Sequence, residues 1–90
     1  MNSLKIVIVE DEKIAAESLA KAILKIEPSA GILAICSSVK QATAWISSNR
    51  ADLYFMDIEL GDGQSFEIFK QVTVHSPVIF TTAYDQYAIK

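Results

Sequence analysis

An α/β domain built on a parallel sheet is what this sequence predicts, and three observations predict it. Short apolar runs alternate with longer stretches at helical spacing. Several of those runs are continuously apolar, as expected for strands covered on both faces. Three of the four runs end in oxygen-bearing side chains, which a parallel sheet would deliver to one edge. Regular strand–helix alternation argues for crossover units, and such crossovers are right-handed.

The elements follow in order. Ile6-Val7-Ile8-Val9 is the first strand. Residues 12–26 carry Ala15, Leu19, Ala22, Ile23 and Ile26 at helical spacing, with Lys13, Glu17, Lys21 and Lys25 on the other face. Pro28 and Gly31 end that helix. Ile32-Leu33-Ala34-Ile35-Cys36 is a second buried strand. Ser37-Ser38 offers an N-cap to an amphipathic helix marked by Val39, Ala42, Trp45 and Ile46. Leu53-Tyr54-Phe55-Met56 is the third strand, and Gly61-Asp62-Gly63 signals a loop. Phe66, Phe69 and Val72 mark a short third helix, Pro77-Val78-Ile79-Phe80 a fourth strand, and Tyr84 to Lys90 the start of a fourth helix.

Ninety residues allow one domain, 1–90. The net charge of −3 and the absence of a Lys/Arg cluster leave no electrostatic footprint for nucleic acid or an anionic membrane. The single cysteine, Cys36, cannot form an internal disulfide, which fits a reducing cytosol. The run at residues 6–9 is too short for a membrane span or a signal core. A soluble, cytoplasmic protein is expected.

The chemistry lies where the strands end. The first strand ends in Glu10-Asp11, the third in Asp57 followed by Ile58-Glu59, and the fourth in Thr81-Thr82. Two carboxylates about 5 Å apart repel by roughly 3 kcal/mol at an effective dielectric of 20. Protonation of one of them, or a hard cation, would compensate. Mg²⁺ takes oxygen ligands and binds through one or two carboxylates plus substrate phosphate. A carboxylate can also act as nucleophile and carry an aspartyl phosphate. Phosphoryl transfer is mostly positioning and charge neutralisation, and Thr82 supplies a hydroxyl for a phosphoryl oxygen.

Three blocks carry a family resemblance. Val7-Ile8-Val9-Glu10-Asp11-Glu12, Leu53-Tyr54-Phe55-Met56-Asp57-Ile58-Glu59-Leu60 and Pro77-Val78-Ile79-Phe80-Thr81-Thr82-Ala83-Tyr84 resemble, in order and spacing, the receiver domain of bacterial response regulators. Asp57-Ile58-Glu59-Leu60 and Thr82-Ala83-Tyr84-Asp85-Gln86-Tyr87-Ala88 look most like the subgroup with a LytTR-type (AlgR-type) DNA-binding domain. The resemblance implies a doubly wound, flavodoxin-like fold, for whose strand order 2-1-3-4-5 this family is a standard example. It implies that Asp57 takes a phosphoryl group from the phosphohistidine of a sensor histidine kinase. Mg²⁺ would be held by Glu10, Asp11 and Asp57 with the backbone carbonyl of Glu59. Thr82 would contact the phosphoryl group, and Glu59 and Tyr84 would tune dephosphorylation. The domain would act as a phosphoacceptor, not a turnover enzyme, and would reach DNA only through an output domain that regulates transcription.

The family also has a fifth strand ending in a lysine, and a fifth helix. No lysine of these 90 residues takes that place; Lys90 lies seven residues past Ala83. The expectation is a partial receiver, strand order 2-1-3-4, ending in its fourth helix. Its apolar fourth strand would then be a sheet edge open to pairing, so self-association is expected.

Plainer readings compete at each position. Asp57 alone could start a loop, and Glu10-Asp11-Glu12 could be helix N-terminal charge, a role that suits Glu12. Residues 57–68 do not fit a calcium loop, because Gly61, Asp62 and Ile68 fall where an oxygen ligand, glycine and glutamate are needed. His75 reads as a solvated loop residue, Cys36 as a small buried apolar residue, and Trp45 as packing on the sheet. Tyr84 and Tyr87 could be core or partner surface. Phosphatases of the haloacid dehalogenase type also place an aspartate after an apolar strand. They need a second aspartate where this chain has Glu59, and they leave Glu10-Asp11 unexplained. The remaining alternative is a dimerisation or docking module independent of phosphorylation.

Overall fold

The computed structural model describes residues 3–81. Thr82, Tyr84, Tyr87 and the expected fourth helix lie outside the described residues. Four strands, β1 (Lys5–Val9), β2 (Gly31–Cys36), β3 (Leu53–Asp57) and β6 (Val78–Thr81), form one parallel sheet in the order β2-β1-β3-β6. Among the described residues, three helices cover it: α1 (Lys13–Ile26), α2 (Val39–Ser48) and α3 (Phe66–Gln71). Between β3 and α3 lies a small antiparallel hairpin of β4 (Glu59–Leu60) and β5 (Gly63–Gln64). The order of the four long strands is the predicted 2-1-3-4.

Strand β1 is apolar from Ile6 to Val9, the part that is covered on both faces. Ile6 and Ile8 pack with Ala16, Ile23 and Ala30, on the side of α1. Val7 and Val9 pack with Val39, Ala42, Tyr54, Met56, Leu60 and Ile68, on the side of α2 and α3. Period-two alternation within one strand therefore feeds two separate cores.

Three expectations about burial need correction. Helix α1 faces the sheet through Ala16, Leu19, Ala20 and Ile23, whereas Ala15, Ala22 and Ile26 are exposed. The spacing allowed two overlapping stripes, and the one beginning at Ala16 lets a small residue approach the strand closely. Strand β2 is not buried on both faces: it is an edge, and Leu33 and Ile35 are 45% and 44% exposed. Helix α3 is anchored by the fully buried Ile68, while Phe66 and Phe69 are partly exposed and turn their rings edge-on to Phe80 of β6.

Other expectations hold. Ser38 caps α2, its Oγ accepting from the Gln41 N–H at 3.0 Å. Cys36 is buried and His75 exposed. Trp45 meets the Tyr54 ring edge-on at 6.3 Å.

Candidate functional site

Strand register brings the acids together. Val9 of β1 lies beside Met56 of β3, so the residues that follow, Glu10 and Asp57, leave the sheet side by side. The Glu10 N–H donates to the Cys36 carbonyl at 2.9 Å, which fixes the chain at the end of β1. The Glu10 carboxylate accepts from the Glu12 N–H at 3.0 Å, and that bond aims the side chain. Carboxylate oxygens of Glu10, Asp11 and Asp57 all lie within 4.8 Å of one another. Asp57 is buried, Glu10 half-buried and Asp11 exposed, so the cluster grades from the sheet into solvent.

Such proximity shows in the electrostatics. Burial, then the charges of Asp57 and Asp11 and a hydrogen bond with Asp11, push the Glu10 carboxyl up from 4.5 to about 7; the Glu12 N–H opposes them. Burial also raises Asp57, and the charge of Asp11 adds to it; the Glu59 and Ile58 N–H groups and a hydrogen bond from Glu10 pull the other way. One oxygen of Asp57, Oδ1, is buried without a hydrogen-bond partner. A buried carboxylate oxygen left unpaired costs free energy. A small divalent cation takes hard oxygen donors and would relieve such crowding, so the grouped carboxylates of Glu10, Asp11 and Asp57 fit Mg²⁺.

The hairpin forms a wall of the site. Its base closes where the Ser65 N–H donates to the Ile58 carbonyl at 2.9 Å. Leu60 is buried in the core, and the Glu59 side chain accepts from the Gln64 amide at 2.8 Å. A β-carbon built on Gly61 would stand 3.8 Å from Asp11 Oδ2, which places the turn directly against the cluster. Asp62, in the same turn, receives two backbone hydrogen bonds from α2: Val39 N–H at 2.8 Å and Lys40 N–H at 3.1 Å. Those two bonds hold its carboxyl below the usual aspartate range.

Of the sequence-predicted site residues, Glu10, Asp11 and Asp57 are brought together, and Glu59 sits two residues past Asp57 in β4. Thr82 lies outside the described residues, but the preceding Thr81 is in register with Asp57. In the sequence, residues 61–63 read only as a turn, and nothing there indicates Asp62's tie to α2. Its partners are 23 and 22 residues away, so no local spacing pattern reveals the tie. A cleft of about 570 Å³, lined by Ile46, Tyr54 and His75 among others, opens at the amino ends of β3 and β6, away from the acids.

Residues 6–90 match the family model of the response regulator receiver domain. The chain is 34% identical over 90 residues to the sensory transduction protein LytT of Bacillus anthracis, covering 97% of this chain and 36% of that protein. It is 32% identical over 89 residues to the transcriptional regulatory protein BtsR of Escherichia coli, covering 97% of this chain and 37% of that protein. The chain thus spans little more than a third of these curated relatives. A CheY-like receiver domain from Methylobacillus flagellatus superimposes with a TM-score of 0.77 at 22% identity, over 99% of this chain and 77% of that one. No described helix is long and apolar enough to cross a membrane.

Proposed function

This chain belongs to the response regulator receiver domain family, and we propose that within it Asp57 accepts a phosphoryl group from a histidine kinase in a Mg²⁺-dependent reaction. The observation that carries this is the grouping of Asp57, whose Oδ1 is buried and unpaired, with the carboxylates of Glu10 and Asp11. Glu10, Asp11 and Asp57 would hold the cation, with the backbone carbonyl of Glu59 and a phosphoryl oxygen completing its shell. Bound there, Mg²⁺ would offset the negative charge of both the carboxylate and the phosphoryl group.

The chain's own part is to present a nucleophile. A carboxylate oxygen of Asp57 bonds to phosphorus as the P–N bond of a phosphohistidine breaks, and the imidazole leaves with the electron pair and takes up a proton. Burial disfavours the anion of Asp57, while the Ile58 and Glu59 N–H groups favour it, so the carboxylate is weakly solvated yet held in place. The Thr82 hydroxyl would hydrogen-bond the transferred group. The likeness to LytT and BtsR favours a cytoplasmic regulator whose output domain contacts DNA and controls transcription. This is a signalling role and not turnover catalysis.

Incubating the chain with Mg²⁺ and acetyl phosphate tests the proposal. Intact mass is expected to rise by one phosphoryl group, and Asp57→Asn is expected to show no rise. If neither this chain nor a longer form of it gains mass, the phosphoacceptor role falls and a docking module takes its place.

Self-association belongs to the same proposal. Strand β6 is an edge of the described sheet, with Ile79 46% and Phe80 41% exposed. Unpaired strand edges with apolar side chains invite pairing. Light scattering is expected to show a mass that grows with concentration; a monomer at all concentrations refutes it.

A further inference from the structure

Asp62 is exposed on a two-residue turn, a position where an aspartate is ordinarily free in solvent. Here both of its carboxylate oxygens are committed. Oδ1 accepts from the Val39 N–H and Oδ2 from the Lys40 N–H, the first two helical residues of α2. Two N–H groups at a helix start lack intrahelical partners, so a fixed carboxylate there gains both hydrogen bonds and the favourable end of the helix dipole. The cap on that helix is already filled by Ser38. The Asp62 bonds therefore do something the local sequence of α2 does not need: they tie a distant hairpin to it.

What the hairpin touches decides the consequence. The hairpin starts directly after Asp57 and Ile58, and Glu59 is its first residue. Gly61, adjacent to Asp62, abuts Asp11. Among its attachments, the Ile58–Ser65 bond fixes the base and Leu60 fixes the buried side. Asp62 is the attachment at the tip, the end that meets Asp11.

We propose that Asp62 is a positioning residue for the cation site: its grip on the start of α2 fixes the hairpin so that the Gly61 turn abuts Asp11 and the Glu59 backbone is held beside Asp57. The inference rests on the reading of Glu10, Asp11 and Asp57 as a cation site. Groups that orient metal ligands without touching the metal typically change affinity by 10–100-fold when removed.

The test is calorimetric titration of the full chain with Mn²⁺ alone, beside Asp62→Ala and Asp62→Asn, with thermal melts of each in EDTA. Alanine removes both acceptors and is expected to weaken Mn²⁺ binding about tenfold or more. Asparagine lacks the charge but keeps one acceptor oxygen, and is expected to restore affinity to within about threefold of the parent, a partial rescue of that loss. If alanine only lowers the melting point and leaves the affinity unchanged, Asp62 is merely structural and the proposal falls, while the cation site stands. If asparagine weakens binding as much as alanine while Asp62→Glu, which keeps the charge but changes the reach, leaves it unchanged, the effect is one of charge, and positioning is again refuted. If the parent chain itself binds no Mn²⁺, the cation reading fails and the inference goes with it. Should alanine prevent folding, Asp62→Glu decides on its own: it keeps the charge and changes the reach, so a loss of affinity of about threefold or more supports positioning and an unchanged affinity refutes it.

Discussion

Asp57→Asn is expected to raise the thermal midpoint of the metal-free chain near pH 8 and to abolish its stabilisation by Mg²⁺, so that the two proteins change rank when the cation is added. Without metal, three carboxylates have oxygens within 4.8 Å of one another. Each charged pair at that separation repels by about 3 kcal/mol at an effective dielectric of 20. Solvent reaching Asp11 and Glu10 reduces this, and a net gain of about 1–2 kcal/mol for the asparagine variant is expected. For a domain this size, each kcal/mol moves the midpoint by about 4–8 °C.

The pH dependence follows from Glu10. Its carboxyl lies near 7 in the folded chain against 4.5 in the unfolded one. The folded state therefore keeps a proton that the unfolded state releases. That contribution to stability is complete below about pH 4.5 and disappears as pH rises through 7. Metal-free parent protein should melt progressively lower between pH 5 and pH 8. Asparagine at position 57 removes one cause of the Glu10 shift, so its slope should be shallower. Burial remains the leading cause, so some slope persists. A cation at about 100 times its Kd adds roughly 2.7 kcal/mol to the parent alone. Calorimetric melts with EDTA and with Mg²⁺, at both pH values, check every part. An asparagine variant that melts lower than the parent in EDTA near pH 8, or gains equally from Mg²⁺, refutes the account.

The site was largely legible in the sequence because parallel strands deliver their last residues to one edge. Glu10, Asp11 and Asp57 needed only the strand ends and the strand order to be brought together. The two cores were legible for the same reason: Ile6 and Ile8 alternate with Val7 and Val9 in a strand covered on both sides. Position within the sheet was harder to read. Residues 32–36 are as apolar as 6–9, yet they form an edge, because composition records the apolar side chains and not how many neighbours a strand has. The face of α1 was mistaken where two alanine–isoleucine stripes overlap and only contact with β1 selects one. The Asp62 tie escaped entirely, since it joins a turn to a helix start that is remote in sequence and adjacent only after folding.

The site is only as ordered as the strand that carries Asp57, which makes Tyr54 the most sensitive position in the core. It lies three residues before Asp57 on β3, in register with Val7 on one side and Val78 on the other. Its ring is 2% exposed and meets Trp45 edge-on. Its hydroxyl oxygen accepts from the N–H of Ala51, itself 2% exposed, at 3.3 Å. Truncation of a buried aromatic to alanine costs about 3–5 kcal/mol through lost burial and the cavity left behind. Small domains have only about 5–15 kcal/mol in total, so Tyr54→Ala is expected to leave the chain largely unfolded. Tyr54→Phe keeps the ring but leaves the Ala51 N–H unpaired, at a cost of about 1–3 kcal/mol. Urea unfolding followed by Trp45 fluorescence separates the two: the phenylalanine variant should shift the midpoint and keep its cation response, whereas the alanine variant should lose both. An alanine variant as stable as the phenylalanine one would show that β3 is held by its neighbouring strands alone, and that the ring contributes little to where Asp57 sits.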